Sequence, residues 1–225
     1  MNADASPLSI VILISGRGSN LQSIIDAVTH DKLPVEIRAV ISNRPAAAGL
    51  QRAAQAGIPT AVIDHSLYSD RAAFDQALQE CIERWQPELV VLAGFMRILT
   101  AGFVRHYQGR MLNIHPSLLP DFPGLHTHRQ VLESGCKQHG ASIHFVTATV
   151  DGGPVVLQAR IAVQPQDTVT TLAARVLEQE HRLYPLAIRW FAEQRLRLDS
   201  SAHAVLDDRV LTEPVIFKKE SGELC

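Results

Sequence analysis

No stretch of this chain stays apolar long enough to cross a bilayer. The longest runs, such as Leu89 to Met96, fall far short of the roughly 20 residues a spanning helix needs, so no membrane segment is expected. Charge of one sign is missing too. The formal net charge is −2, and no run of Lys or Arg occurs beyond the pair Lys218 and Lys219. That argues against a nucleic-acid partner held by counterion release, and leaves any anionic ligand to be met locally. The first nine residues are small and polar, with no basic patch ahead of an apolar stretch, so they do not resemble a secretory signal. Cys81, Cys136 and Cys225 are odd in number, scattered and without C-x-x-C spacing. They fit unpaired thiols in a reducing compartment better than a disulfide or zinc framework. The expectation is a cytoplasmic protein. G-x-S-x-G and H-E-x-x-H are absent, as are internal repeats and low-complexity segments, so neither a serine nucleophile nor a metalloprotease centre is indicated.

What is present is the material of a large core. Apolar residues make up 46% of the 225 and charged residues 20%, as in folded globular proteins. An apolar segment over 8–14 runs into Ser15-Gly16-Arg17-Gly18-Ser19-Asn20, after which Leu21, Ile24, Ile25 and Val28 recur at helical spacing: strand, glycine turn, helix. Further strands are expected over 35–41, 60–63, 88–92 and 111–114, with helices over 46–56 and after Ser69, which can cap the second. That alternation implies an α/β, Rossmann-like, mostly parallel sheet flanked by helices. Past a short helix over 127–133, segments 141–150 and 155–163 read as an antiparallel strand pair joined through Asp151-Gly152-Gly153-Pro154. A long helix over 168–193 follows, with Pro185 expected to kink or split it. One domain over 8–194 and a short C-terminal extension over 195–225, of no assigned role, complete the reading.

A glycine turn feeding a helix offers free amide hydrogens and a partial positive charge, which suits a phosphate. A dinucleotide fits poorly. Leu21 stands where the third glycine of G-x-G-x-x-G belongs, and the second strand ends in Ser42-Asn43-Arg44 with no ribose-binding acid. A tight turn that needs glycine only for its geometry is the plainer alternative.

Asn113 and His115 lie two apart at a strand end, so both side chains point to one face. A histidine can donate a proton near neutral pH and an asparagine amide can hold a developing oxyanion. The segment alone fits equally well a buried histidine satisfied by the backbone, with the asparagine serving the turn. Ser142 and His144 form a second polar face, opposite Ile143 and Phe145, that needs a partner. Asp151 sits at the following turn, where it either shapes Asp151-Gly152-Gly153 or, if near His115, favours the imidazolium. His115, His126, His128 and His144 lack the ligand spacing of a metal site, and no metal is expected.

Several long motifs in order then carry a resemblance: ISGRGSNLQ (14–22), VVLAGFMRIL (90–99), NIHPSLLP (113–120), GLHTHRQ (124–130), and DGGP (151–154) with QEH (179–181). Over about 10–193 the chain resembles the folate-dependent phosphoribosylglycinamide formyltransferases. The resemblance implies a Rossmann-like fold with 10-formyltetrahydrofolate as co-substrate, 5-phosphoribosylglycinamide as acceptor and no metal. It implies catalysis by Asn113, His115 and Asp151. Gly18, Ser19, Asn20 and Leu21 would bind the acceptor's phosphate, and Glu180 its amine. Arg71, Met96, Arg97, Ile98, Leu99, Asn113 and His144 would meet the folate. A monomer or homodimer is expected. Thr147-Ala148-Thr149-Val150 lacks an acidic residue frequent in relatives, which matters little if the loop grips the pterin by its backbone. A formyltetrahydrofolate hydrolase, a methionyl-tRNA formyltransferase and a silent phosphate-ligand sensor are the rival readings. The intact glycine turn with Glu180 speaks against the first, the lack of a basic C-terminal domain against the second, and retention of the three polar residues against the third.

Overall fold

Alternate residues of the first strand enter different cores. In β1 (Leu8–Ile14), Ile10, Ile12 and Ile14 join one apolar cluster while Val11 and Leu13 join another, so the strand is covered on both faces, as its unbroken apolar run requires. The computed structural model describes residues 6–217. Cys225 and the pair Lys218–Lys219 lie outside them.

The chain alternates through α1 (Ser19–His30), β2 (Val35–Ser42), α2 (Ala48–Gln55), β3 (Thr60–Val62), α3 (Arg71–Glu83), β4 (Leu89–Leu92), α4 (Ala101–His106), β5 (Met111–His115), α5 (Thr127–Ser134), β6 (Gln138–Phe145), β7 (Val155–Ala162) and α6 (Val169–Ala192). Four short strands follow: β8 (Leu196–Leu198), β9 (Ala204–Leu206), β10 (Arg209–Val210) and β11 (Val215–Phe217). The main sheet has the order β11-β7-β6-β5-β4-β1-β2-β3. Strands β5-β4-β1-β2-β3 are parallel, β6 runs antiparallel to both β5 and β7, and β11 is parallel to β7. The parallel α/β sheet and its antiparallel pair are as expected. Helices α1 and α6 pack over one face, with Leu21, Ile24, Leu183 and Ile188 in the first core. Helices α3 and α4 cover the other through Phe74, Leu78, Phe103 and Val104.

Several expectations need correction. Asp70, not Ser69, caps α3, its carboxylate accepting from Ala73 N at 2.9 Å. The strand expected over 141–150 starts earlier and stops at Phe145. Val146 N then bonds to Met111 O and the chain leaves the sheet. Helix α6 runs through Pro185 without splitting; packing of Tyr184, Ala187 and Ile188 in the core outweighs the one amide hydrogen that proline lacks. Helix α4 was not anticipated, being six residues long. Within the stretch set apart as an extension, β8 to β10 form an antiparallel sheet that buries Leu196, Ala204 and Val205, and β11 extends the main sheet. Strands of two or three residues leave no periodicity to detect.

Candidate active site

Between β1 and β4 the strand order reverses, β2 and β3 lying to one side and β5 to the other. In open α/β sheets the crevice at the carboxyl ends of such a pair is where ligands bind. The two loops leaving it are the glycine turn after β1 and the segment 93–100 after β4. One hydroxyl joins them: Ser15 Oγ accepts from Met96 N at 2.7 Å and donates to Asn43 Oδ1 at 2.5 Å.

Next to this crevice, register brings the two polar pairs together. Asn113 lies opposite His144 and His115 opposite Ser142 across β5 and β6, so all four side chains share a face. Ile143 and Phe145 enter the core on the other. The 146–154 loop lays Asp151 over that polar face. Its Oδ2 is 3.4 Å from His115 Nδ1 and accepts from Gly124 N at 2.8 Å, while Oδ1 is 3.7 Å from His144 Nε2. The carboxylate therefore ties the 115–124 loop to the histidines and does not serve merely to shape its own turn. Side-chain exposure is 6% for His115, 11% for Asp151 and 2% for His144, which keeps the cluster out of bulk water and strengthens its electrostatics. His115 Nε2 donates to the Phe122 carbonyl at 2.9 Å, so both ring nitrogens face acceptors. Giving a proton to a reacting oxygen requires exchanging the Phe122 carbonyl for that oxygen.

Buried polar side chains hold the 115–124 loop. Ser142 Oγ donates to Ser117 O at 2.7 Å and accepts from Leu119 N at 3.0 Å and Gln158 Nε2 at 3.0 Å. Gln158 Nε2 also reaches Leu119 O at 2.8 Å, and Ser117 Oγ donates to Asp121 O at 2.6 Å.

A cavity of about 590 Å³ opens beside the cluster, lined by Asn113, His115, His144 and Asp151 on one side and by Met96, Arg97, Ile98 and Leu99 on another. That volume suits a drug-sized, largely apolar ligand. Thr147 to Val150 form part of its wall. Met96 and Ile98 are 59% and 54% exposed, apolar surface left uncovered within the wall. Arg71 opens α3 and is exposed, and it is not among the residues that line the cavity.

The glycine turn lies beside the 93–100 segment, Ser15 N donating to the Gly94 carbonyl at 3.1 Å. Gly18 at φ +70° is the N-cap of α1, and no side chain among the described residues caps that helix. Helices α3, α4 and α6 are capped by Asp70, Thr100 and Thr168, while α2 and α5, like α1, have no side-chain cap. The first amides of α1 are thus left for an anion. Leu21 is fully buried, so only its backbone can take part, whereas Ser19 is half-buried. Asn20 Nδ2 donates to Glu180 Oε2 at 2.6 Å, and Asn20 Oδ1 is buried with no partner among the described residues. Burial pushes the Glu180 carboxyl above the usual range, against the Asn20 hydrogen bond. One turn further along α6, the Tyr184 hydroxyl sits 2.9 Å from both the Leu92 and Leu112 carbonyls. It fixes Glu180 relative to the strand that carries Asn113.

The structure thus groups Asn113, His115, His144, Asp151 and the 96–99 wall, with Gly18, Asn20 and Glu180 alongside. The sequence did not point to Ser15, Gln158, the Phe122 carbonyl or the Gly124 amide. The half-buried His128, whose Nδ1 lies 3.0 Å from Nε2 of the buried His139, also escaped it as a pair. The one available signal was Ser142, already placed on the polar face without a partner. Among the described residues no group of three His, Cys, Asp or Glu side chains is arranged to hold a metal, and no helix is long and apolar enough to cross a membrane.

Comparison with known proteins is consistent with this geometry. Residues 8–188 match the family model described as formyl transferase. The chain is 55% identical over 195 residues to phosphoribosylglycinamide formyltransferase of Escherichia coli (strain K12), covering 87% of this chain and 92% of that one. It is 46% identical over 202 residues to the Haemophilus influenzae protein of the same name, covering 90% and 95%. The solved phosphoribosylglycinamide formyltransferase of Coxiella burnetii superposes with a TM-score of 0.88 at 51% identity, over 92% of this chain and 96% of that one.

Proposed function

The chain belongs to the formyl transferase family, and from that membership we propose that it moves the formyl group of 10-formyltetrahydrofolate to the amine of 5-phosphoribosylglycinamide. The products are formylglycinamide ribonucleotide and tetrahydrofolate, as a step of de novo purine (IMP) biosynthesis. The observation that carries this reading is Asp151 set 3.4 Å from His115 in a cavity that Asn113 also lines, next to an uncapped glycine turn.

The neutral acceptor amine attacks the formyl carbon and the carbonyl electrons move to oxygen. Asn113 and a charged His115 hold that oxyanion, and Asp151 sustains the imidazolium. Collapse expels the folate nitrogen, which takes up a proton as the attacking nitrogen loses one. A water near Asp151 is the carrier, and no covalent enzyme intermediate forms. The amides of 18–21 hold the acceptor's phosphate, and Glu180 with Asn20 meets its amine end. The 96–99 wall takes the folate ring, with Arg71 reaching toward the same ligand. A buried carboxylate–amide pair beside a phosphate turn has no use in a reaction with water, which favours transfer over hydrolysis.

The test mixes purified protein with 10-formyltetrahydrofolate, with and without phosphoribosylglycinamide, and follows folate deformylation. Release that needs the acceptor is expected. Release without it would mean a hydrolase, and none at all would mean a ligand sensor.

A further inference from the structure

We infer that His144, as the tautomer protonated on Nδ1, is a positioning residue: it accepts a hydrogen bond that locks the Asn113 amide with its nitrogen, not its oxygen, toward the reacting centre. The inference rests on the formyl-transfer reading, because it assigns His144 a part in holding the oxyanion.

The ring's two nitrogens have different neighbours. Nδ1 is 2.9 Å from the Phe145 carbonyl, which can only accept, so Nδ1 carries a proton. Nε2 is 3.1 Å from Asn113 Nδ2. Its other polar neighbour, Asp151 Oδ1, stands at 3.7 Å, beyond hydrogen-bond reach. The Asp151 Oδ2 atom is engaged by Gly124 N and faces His115. Burial of the ring disfavours its charged form, more than the Phe145 carbonyl and Asp151 favour it. A neutral ring with its proton on Nδ1 presents a bare lone pair at Nε2. Only the amide nitrogen of Asn113 can satisfy that lone pair; the amide oxygen would set two acceptors against each other. Once one N–H of Asn113 is given to His144, planarity of the amide fixes where the second N–H points. The register shift of β6 against β7 falls between Ile143 and His144, and such irregularities re-aim side chains beside active sites. At 2% exposure His144 has little surface left for the folate itself, so its contribution to turnover passes through Asn113.

The experiment compares three variants with the wild-type protein in the acceptor-dependent assay. His144→Phe keeps a buried ring and removes the acceptor; kcat should fall about ten- to a hundredfold, because the amide then samples both orientations and an oxyanion donor is lost part of the time. The two KM values should stay near wild type, since ground-state binding is untouched. His144→Gln restores a carbonyl oxygen near the position of Nε2 and should recover most of the loss. His144→Asn, which reaches only the Nδ1 position, should not. Nitrogen-15 NMR of the wild-type imidazole, which needs no variant to fold, should show the proton on Nδ1 alone across pH 6–8. A proton on Nε2, an imidazolium, a normal kcat for His144→Phe or equal recovery by Gln and Asn would each overturn the inference. If wild-type protein releases no formyl group in response to the acceptor, the transfer reading itself fails. If it does and His144→Phe matches it, only the role of His144 is lost.

Discussion

Replacing Gly18 by alanine separates two costs that the glycine turn combines. At φ +70° an added Cβ meets the strain of the left-handed region, roughly 1–2 kcal/mol. It also comes 2.7 Å from the Gly49 Cα at the start of α2, where ordinary contact is nearer 4 Å. That neighbour is backbone, so the turn and α2 must move apart, which adds about 1–3 kcal/mol as other overpacked sites do. Gly57 supplies the control. It has φ +71° with no described atom within 4 Å of an added Cβ, so Gly57→Ala pays the strain alone. Urea unfolding should therefore place Gly18→Ala about 1–3 kcal/mol below Gly57→Ala. The displaced turn also carries the amides assigned to the acceptor's phosphate. Losing one charge-assisted hydrogen bond, roughly 1.5–3 kcal/mol, raises the KM for phosphoribosylglycinamide about ten- to 150-fold, with the folate KM nearly constant. Gly57→Ala should leave both constants alone. Equal stability loss in the two variants, together with an unchanged acceptor KM for Gly18→Ala, would refute both the close-approach argument and the phosphate assignment.

Three further outcomes follow from the same geometry. Asn113→Ala and His115→Ala should each lower kcat by about a hundred- to thousandfold with substrate affinities near normal, as for removal of an oxyanion donor; steady-state kinetics showing normal turnover in either would remove that residue from the mechanism. Ser142→Ala leaves the Leu119 amide and the Ser117 carbonyl without their buried partner and should cost roughly 1–3 kcal/mol in urea unfolding; a change within error would mean that the 115–124 loop finds substitutes. Burial and the neighbouring His128 hold His139 down to about 4, from an ordinary 6.5. Below about pH 6.5 the unfolded chain takes up a proton that the fold refuses, so stability is present above that pH and is lost progressively down to about pH 4. The total is on the order of 3 kcal/mol. His139→Gln should flatten that limb of a stability–pH profile, and an unaltered slope would show that His139 does not cause it.

The parallel part of the sheet was legible because its central strands β1 and β4 are buried on both faces and α1 and α3 carry apolar stripes. Asn113 and His115 were also legible as a pair, since alternation in a strand is a local property. Asp151 was not. It reaches His115 because the chain leaves the sheet at Val146, beside Met111, and returns only at Val155, and nothing in Thr147 to Val150 records that path. Gln158 was hidden for a related reason. It lies in a mostly apolar strand, and its partners, Leu119 and Ser142, are 39 and 16 residues away. Motif resemblance supplied Asp151, where residue spacing alone had left its role open.

The supports of Asn113 and His115, the two proposed oxyanion donors, differ in kind, and the difference bears on how the centre would work. Asn113 is held from the sheet: its strand is paired on both sides, by β4 and β6, and its amide meets a ring that is itself anchored to the next residue's carbonyl. His115 ends the same strand, but its ring is met from loops, by the Phe122 carbonyl and by Asp151, which in turn holds the Gly124 amide. A donor fixed by a sheet is preorganised at no cost when charge develops on the substrate. A donor fixed by loops can exchange one acceptor for another, as His115 must in passing from the Phe122 carbonyl to a formyl oxygen. Because Asp151 stands 3.4 Å from the histidine and accepts from the loop that carries that carbonyl, the charge partner stays beside His115 through the exchange. On the proposed mechanism Asn113 thus defines where the oxyanion forms, while His115 changes acceptor with its charge partner still beside it.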